Sequence, residues 1–146
     1  MYLLLSHIKN LTMRNQHTPS KAMHSTLWIA QIILAVLLIS GTVMKFMPIE
    51  KISAMMPWTG QLPAPIVRLL GVIDLLGAVG LILPTLLRIK PRLTSWAAIG
   101  VIALMFCAIV FHVSRGEASV IGINIVSIIL AAFIAWGRFR NVRAKM

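Results

Sequence analysis

Acidic side chains are nearly missing from this chain: Glu50, Asp74 and Glu117 stand against 14 lysines and arginines in 146 residues. No second carboxylate or histidine accompanies Asp74 closely enough to supply the ligand set of a metal site. Cysteine is reduced to Cys107, which excludes a four-helix membrane enzyme of disulfide exchange, because that chemistry passes through paired thiols. Histidines placed for a haem held between two imidazoles are missing as well. His24 opens the first apolar run and His112 closes the third, on opposite sides of the membrane in the topology derived below. A P-loop, a dinucleotide fingerprint and a Ser/His/Asp set are absent, and so is the period-2 alternation of half-buried strands.

Apolar residues fill the space these absences leave, with 59% of the chain hydrophobic, 12% charged and a mean hydropathy of +0.92. Four apolar runs, over 27–44, 66–83, 94–113 and 118–136, each have about the 17 to 25 residues that carry a helix across a bilayer. Helices satisfy their own backbone in lipid, whereas isolated strands do not. The expected fold is all-α: an integral membrane four-helix bundle occupying 24–140, preceded by a polar extension over 1–23 and followed by a basic tail over 141–146. The nine methionines are scattered through apolar segments, as packing residues are, without the grouping of a copper path.

The excess of positive charge sorts by loop. Lys9, Arg14 and Lys21 precede helix 1; Arg88, Lys90 and Arg92 join helices 2 and 3; Arg138, Arg140, Arg143 and Lys145 follow helix 4. The other two connections are nearly balanced, with Lys45 and Lys51 against Glu50, and Arg115 against Glu117. The positive-inside rule then puts both termini in the cytoplasm. This pattern explains the charge by topology and by attraction to anionic headgroups of the lipid bilayer, and no nucleic acid partner is expected. The expected location is a bacterial inner membrane, spanned several times.

Residues 1–23 hold too short an apolar piece for a signal peptide, and Met23 offers an alternative start of translation beside Met1. Asn10-Leu11-Thr12 matches a glycosylation sequon, but on a cytoplasmic segment the match is by chance. The longest connection, 46–65, contains Pro48, Pro57, Gly60, Pro63 and Pro65, which prevent one regular helix through it. With Met55, Met56 and Trp58 it is amphipathic, and either rests at the interface or covers a cavity.

Asp74 is the one carboxylate inside an apolar run, where a charge costs roughly 3 kcal/mol or more at the helix centre. It lies eight residues into helix 2, about 12 Å from the outer end. Lys45 ends helix 1 on that side, His112 closes helix 3 there, and Asn124 lies about 9 Å into helix 4. Each helix thus brings one polar residue to the outer half. Gly71, Asp74 and Ala78 share a face, as do Asn124, Ser127 and Ala131, while Gly41 and Thr42 precede Lys45 by one turn. Small residues mark helix contacts, so these faces should point into the bundle. Plainer readings stand beside each: Lys45 snorkelling to the interface, His112 as an interfacial histidine, Asn124 as an interhelical hydrogen bond worth about 0.6 kcal/mol, and Asp74 in a structural ion pair with Lys45 or His112. Arg68, about 120° around the helix from Asp74, is an interface anchor.

The stretch from Met23 to Arg140 resembles the DoxX-like family of small four-helix membrane proteins. The resemblance is carried by Gly41-Thr42-Val43-Met44-Lys45-Phe46, by the run from Arg68-Leu69-Leu70-Gly71-Val72-Ile73-Asp74 to Leu83-Pro84, by His112-Val113-Ser114-Arg115-Gly116-Glu117, and by Asn124 with Ala135-Trp136-Gly137-Arg138. In the family the acidic position of helix 2 is usually Glu; Asp74 is one methylene shorter. The superfamily takes its name from a subunit of a thiosulfate:quinone oxidoreductase, so the resemblance implies a membrane fold with redox associations and leaves the reaction unassigned.

Three functions stay open. A redox-associated subunit would hold a quinone-like headgroup in the outer half, with Asp74 and His112 handling its proton and a redox protein as partner. A scaffold or assembly factor would use Asp74 and Lys45 to fix the bundle. A small proton-coupled exporter would use the intramembrane acid, although multidrug exporters of this size carry theirs in helix 1. The glycines of helix 2 suit a homo-oligomer as well as a single bundle.

Overall fold

A computed structural model describes residues 1–7, 21–90 and 92–143, the last three by their backbone. Residues 8–20, with Lys9, Arg14 and the sequon, and 144–146 of the basic tail lie outside the described residues. Residues 2–7 form a short helical segment.

Four long helices make the body: α1 (Lys21–Phe46), α3 (Ala64–Leu86), α4 (Arg92–Ser114) and α5 (Gly122–Arg143); the short α2 (Ile49–Met55) lies between the first two. Each of the four carries a stretch long and apolar enough to cross a membrane, and each is apolar on its outward face as well as inside. Ile32, Val36, Leu76, Phe106 and Ile129 are exposed, as a lipid-facing surface requires. The expected integral membrane four-helix bundle is the fold observed.

Prolines punctuate as their missing N–H dictates. Pro48 and Pro63 precede α2 and α3, and Pro57 opens a 3₁₀ turn, Pro57–Gln61. The 46–65 connection is therefore a helix and a turn, with Ile52 and Thr59 buried, packed on one end of the bundle (the loop end). The opposite, terminal end holds the start of α1, the end of α5 and the α3–α4 turn. The fourth helix begins four residues later than its apolar run, because Ala118–Val120 forms a separate 3₁₀ turn, and it continues past Trp136 to Arg143. Polar residues lengthen α1 and α5 at the terminal end in the same way, where Lys21 and Arg140 are exposed.

Thr42 meets Gly71 and Gln31 meets Leu81, so α1 and α3 run antiparallel. Gly77 faces Val101 and Gly80 faces Ala97 across α3 and α4. The Trp96 and Phe139 rings meet edge to face, at 6.1 Å, between α4 and α5. Each helix thus touches two neighbours in the cyclic order α1, α3, α4, α5. The core between them is small-grained, with Ala30, Leu34, Ala78, Ala98, Ala131 and Ile134 at its centre, as close packing without a hydrophobic drive demands.

The α3–α4 turn is a Schellman motif: Ile89 N–H donates to the Pro84 carbonyl at 3.1 Å and Arg88 N–H to Thr85 at 3.3 Å. Its left-handed position is taken by Arg88, at φ 56°, where glycine is the usual choice. That costs about 1 kcal/mol and retains a cation at the terminal end.

Candidate functional site

At the loop end Lys45 Nζ donates to Asp74 Oδ2 at 2.6 Å, with side chains 15% and 7% exposed. The pair needs a close crossing of α1 and α3. A Cβ on Gly41 would lie 3.1 Å from Asp74 Oδ2 and 3.4 Å from Lys45 Nζ, so glycine there keeps open the space in which the charges meet. One turn from Asp74, the Gly71 carbonyl accepts Thr42 Oγ1 at 3.0 Å. Arg68 does not touch Asp74. It donates to the Lys45 carbonyl, satisfying one of the last carbonyls of α1, and lies over the Phe46 ring at 5.6 Å.

His112 is buried at the end of α4 and pairs elsewhere. Its Nδ1 lies 2.8 Å from Glu117 Oε2; an ionised carboxylate only accepts, so Nδ1 carries the proton. The pairing follows from a second Schellman motif, in which Glu117 N–H donates to the His112 carbonyl at 2.9 Å and Gly116 N–H to Val113 at 3.0 Å. Gly116 sits at φ 72°, which a glycine adopts freely and which turns Glu117 back onto the helix it has just left. Arg115 Nε adds a contact to Glu117 at 3.3 Å, and Arg115 Nη2 donates to Gln61 Oε1 in the loop. The Trp58 and Phe111 rings stand edge-on to His112, at 6.0 and 5.4 Å.

The hydrogen bond from His112 holds the Glu117 carboxyl below the usual carboxylate range, with Arg115 helping and partial desolvation opposing. A depressed acid contributes stability above the ordinary glutamate pKa and loses it as pH falls through the depressed one. Acid titration followed by tryptophan fluorescence should therefore show the Trp58 environment changing with a midpoint below the ordinary glutamate value. The Glu117→Gln protein should lack that transition; an unchanged transition would remove Glu117 as its cause.

Lys45, Asp74, His112 and Asn124, expected at one level, do not form one constellation. The contacts of Gly77 with Val101 and Thr85 with Thr94 set Asp74 opposite residue 104, so His112 stands about 12 Å nearer the loop end by the helical rise. Asn124 and Ser127 are buried on α5. Ser127 Oγ donates to Ile123 O at 2.8 Å, and Asn124 makes no side-chain hydrogen bond among the described residues. Lys45 and Asp74 meet; His112 and Asn124 face inward without joining them. Among the described residues no three His, Cys, Asp or Glu side chains gather as a metal site requires.

A second polar cluster, at the terminal end, has no counterpart in the sequence reading. Gln31 Oε1 accepts Arg138 Nε at 2.8 Å and also Arg138 Nη2, while Gln31 Nε2 donates to the Leu81 carbonyl and lies 3.4 Å from Thr85 Oγ1. Thr85 and Thr94 hydroxyls are 2.8 Å apart, and the Arg138 guanidinium lies 5.6 Å from the Trp28 ring centre. Gln31 is the only amide inside the first apolar run, which is the signal that marks it. Arg138, by contrast, reads in sequence as one more of the cations that follow the last apolar run.

Among known proteins, no curated protein and no solved structure matches the chain. The model of the DoxX-like family matches residues 29–134, a stretch that holds the Lys45–Asp74 pair, the His112–Glu117 pair, Asn124 and Gln31. Four membrane-crossing helices and a family match across most of their length agree: the chain is a multi-pass integral membrane protein and belongs to the DoxX-like family.

Proposed function

We propose that this chain is a membrane-embedded scaffold or assembly subunit without a reaction of its own, and that Lys45 and Asp74 lock α1 against α3. The observation that carries this is the closed pair itself, 2.6 Å long and largely buried. An acid already neutralised by a neighbouring cation is an architectural element before it is a proton carrier. The charge pattern supports a cytoplasmic terminal end, with Lys21, Arg88, Lys90, Arg92 and Arg140 around it and all three acids of the chain towards the loop end. In that orientation, in a bacterial inner membrane, 24–140 is the embedded domain and the polar extension and basic tail are cytoplasmic.

A second reading, a quinone-linked redox subunit, is favoured by one observation: His112 is held by Glu117 on one nitrogen and bordered by Trp58 and Phe111. Such a rim can stack a headgroup and offer it the other imidazole nitrogen. Asp74 is the only aspartate in the chain, so a ¹³C-aspartate label reports on it alone. Titrating the labelled protein in nanodiscs with a soluble quinone analogue should leave the Asp74 carboxylate signal unmoved. A shifted signal would sink the scaffold proposal. Quenching of Trp58 that disappears in His112→Ala, with the Asp74 signal still, would support the redox reading in its place.

A further inference from the structure

The chain opens on apolar side chains that its own bundle leaves bare. Met1, Tyr2 and Leu3 are the most exposed large apolar residues among those described, at 98%, 92% and 86%, and Leu4 and Leu5 are exposed as well. The backbone beneath them is nevertheless closed into a helical turn over 2–7. Leu5 N–H donates to the Met1 carbonyl at 3.1 Å, and Ser6 Oγ donates to the Leu3 carbonyl at 2.8 Å. Isolated helices shorter than about 12 residues are marginal in water, so neither packing nor length accounts for a helix here. Its support lies outside the bundle.

Length and tether narrow what that support is. At about 1.5 Å per residue the 2–7 segment is roughly 9 Å long, far short of the ~30 Å of a bilayer core, so it lies along a surface and does not cross. The stretch 8–20 joins it to α1, which starts at Lys21; even fully extended at about 3.4 Å per residue, that stretch reaches only some 45 Å. The segment therefore stays on the side of the membrane where α1 begins, within reach of the lipid around its own bundle.

Charge decides between lipid and a protein partner. Lys9, Arg14 and Lys21 follow the apolar turn with no acid among them, and the first acid of the chain is Glu50. The same end of the bundle carries exposed Arg88, Lys90, Arg92 and Arg140. A short apolar turn followed by cations alone is the composition that anionic headgroups attract, the apolar part entering the acyl boundary while the cations stay among the phosphates. Tyr2 suits that level, as aromatic residues with a polar tip do. We propose that the 2–7 segment is an interfacial anchor that docks on the anionic lipid surface around the terminal end, with Tyr2, Leu3, Leu4 and Leu5 sunk at the headgroup boundary. This goes beyond the scaffold reading and does not depend on it.

Tyr2 is the only tyrosine of the chain, so a fluorotyrosine label reports on the segment alone. The test uses the full chain in nanodiscs of phosphatidylcholine with a minor share of phosphatidylglycerol. A lipid spin-labelled near its headgroup should broaden the Tyr2 resonance several-fold more than a water-soluble gadolinium chelate does. The triple variant Leu3→Ser/Leu4→Ser/Leu5→Ser should reverse that order and leave the unfolding temperature of the bundle unchanged, because the bundle leaves these side chains exposed. Lys9→Gln/Arg14→Gln should weaken the lipid contact several-fold. A wild-type resonance broadened by the chelate as strongly as that of the triple variant overturns the proposal. So does one shielded from both probes, which puts the turn against a second copy or another protein. Equal lipid contact in phosphatidylcholine alone overturns the anionic surface as its partner.

Discussion

Asp74→Leu should destabilise the purified protein by about 3 to 5 kcal/mol, the usual result of stranding one member of a buried ion pair. Lys45 would keep its ammonium 15% exposed, beside Gly41 and without an acceptor. The double replacement Lys45→Met/Asp74→Leu should recover most of that loss, because two apolar side chains of similar volume remove both charges together. Denaturant or thermal unfolding in detergent, read as a double-mutant cycle, measures the coupling directly. If Asp74→Leu were as stable as wild type, Lys45 would have swung to water at the loop end, and the pair would not be what holds α1 to α3.

Gln31→Leu should cost about 3 kcal/mol, from two hydrogen bonds to a charged donor worth roughly 1.5 to 3 kcal/mol each, less what relaxation restores. The change keeps the volume of the side chain and removes the acceptor of Arg138 and the donor to Leu81 and Thr85 in one step. Arg138→Met in the same chain should rescue it, as the stranded guanidinium is then absent. The same unfolding measurements decide the matter: additive losses in the double variant would mean that Gln31 and Arg138 do not act on each other. The contrast with Ser127 is instructive. Its hydroxyl bonds only to Ile123 within its own helix, so Ser127→Ala should change stability by no more than about 0.5 kcal/mol.

The four spans were legible in the sequence because apolar length is a property of contiguous residues. Their ends were less so. The 118–136 run begins in a 3₁₀ turn, and polar side chains at the terminal end extend α1 and α5 without raising hydropathy. The inward faces of Gly71, Asp74 and Ala78, and of Asn124, Ser127 and Ala131, followed from spacing, since all six are buried. Pairing was harder. Lys45 and His112 were equal candidates for Asp74 until the register of α3 on α4 was known, and register is a matter of packing between helices. The His112–Glu117 contact did leave a local mark, a glycine placed just after a helix and just before the acid, which is the pattern of a left-handed cap. Gln31 and Arg138 are separated by 107 positions, and no periodicity connects residues on helices that first meet in the folded bundle.

The order in which the chain is made gives the Lys45–Asp74 contact another consequence. Lys45 belongs to the first span and precedes Asp74 by 29 residues. When the second span enters the bilayer its countercharge is already present on the neighbouring helix, so the acid need not be carried across as a bare ion. Gln31 has the opposite position. It is made early and must await Arg138 on the last span, but an amide left for a time in lipid is a far smaller burden than a charge. The bundle thus brings its acid in after the cation that meets it, and leaves the long wait to a neutral group.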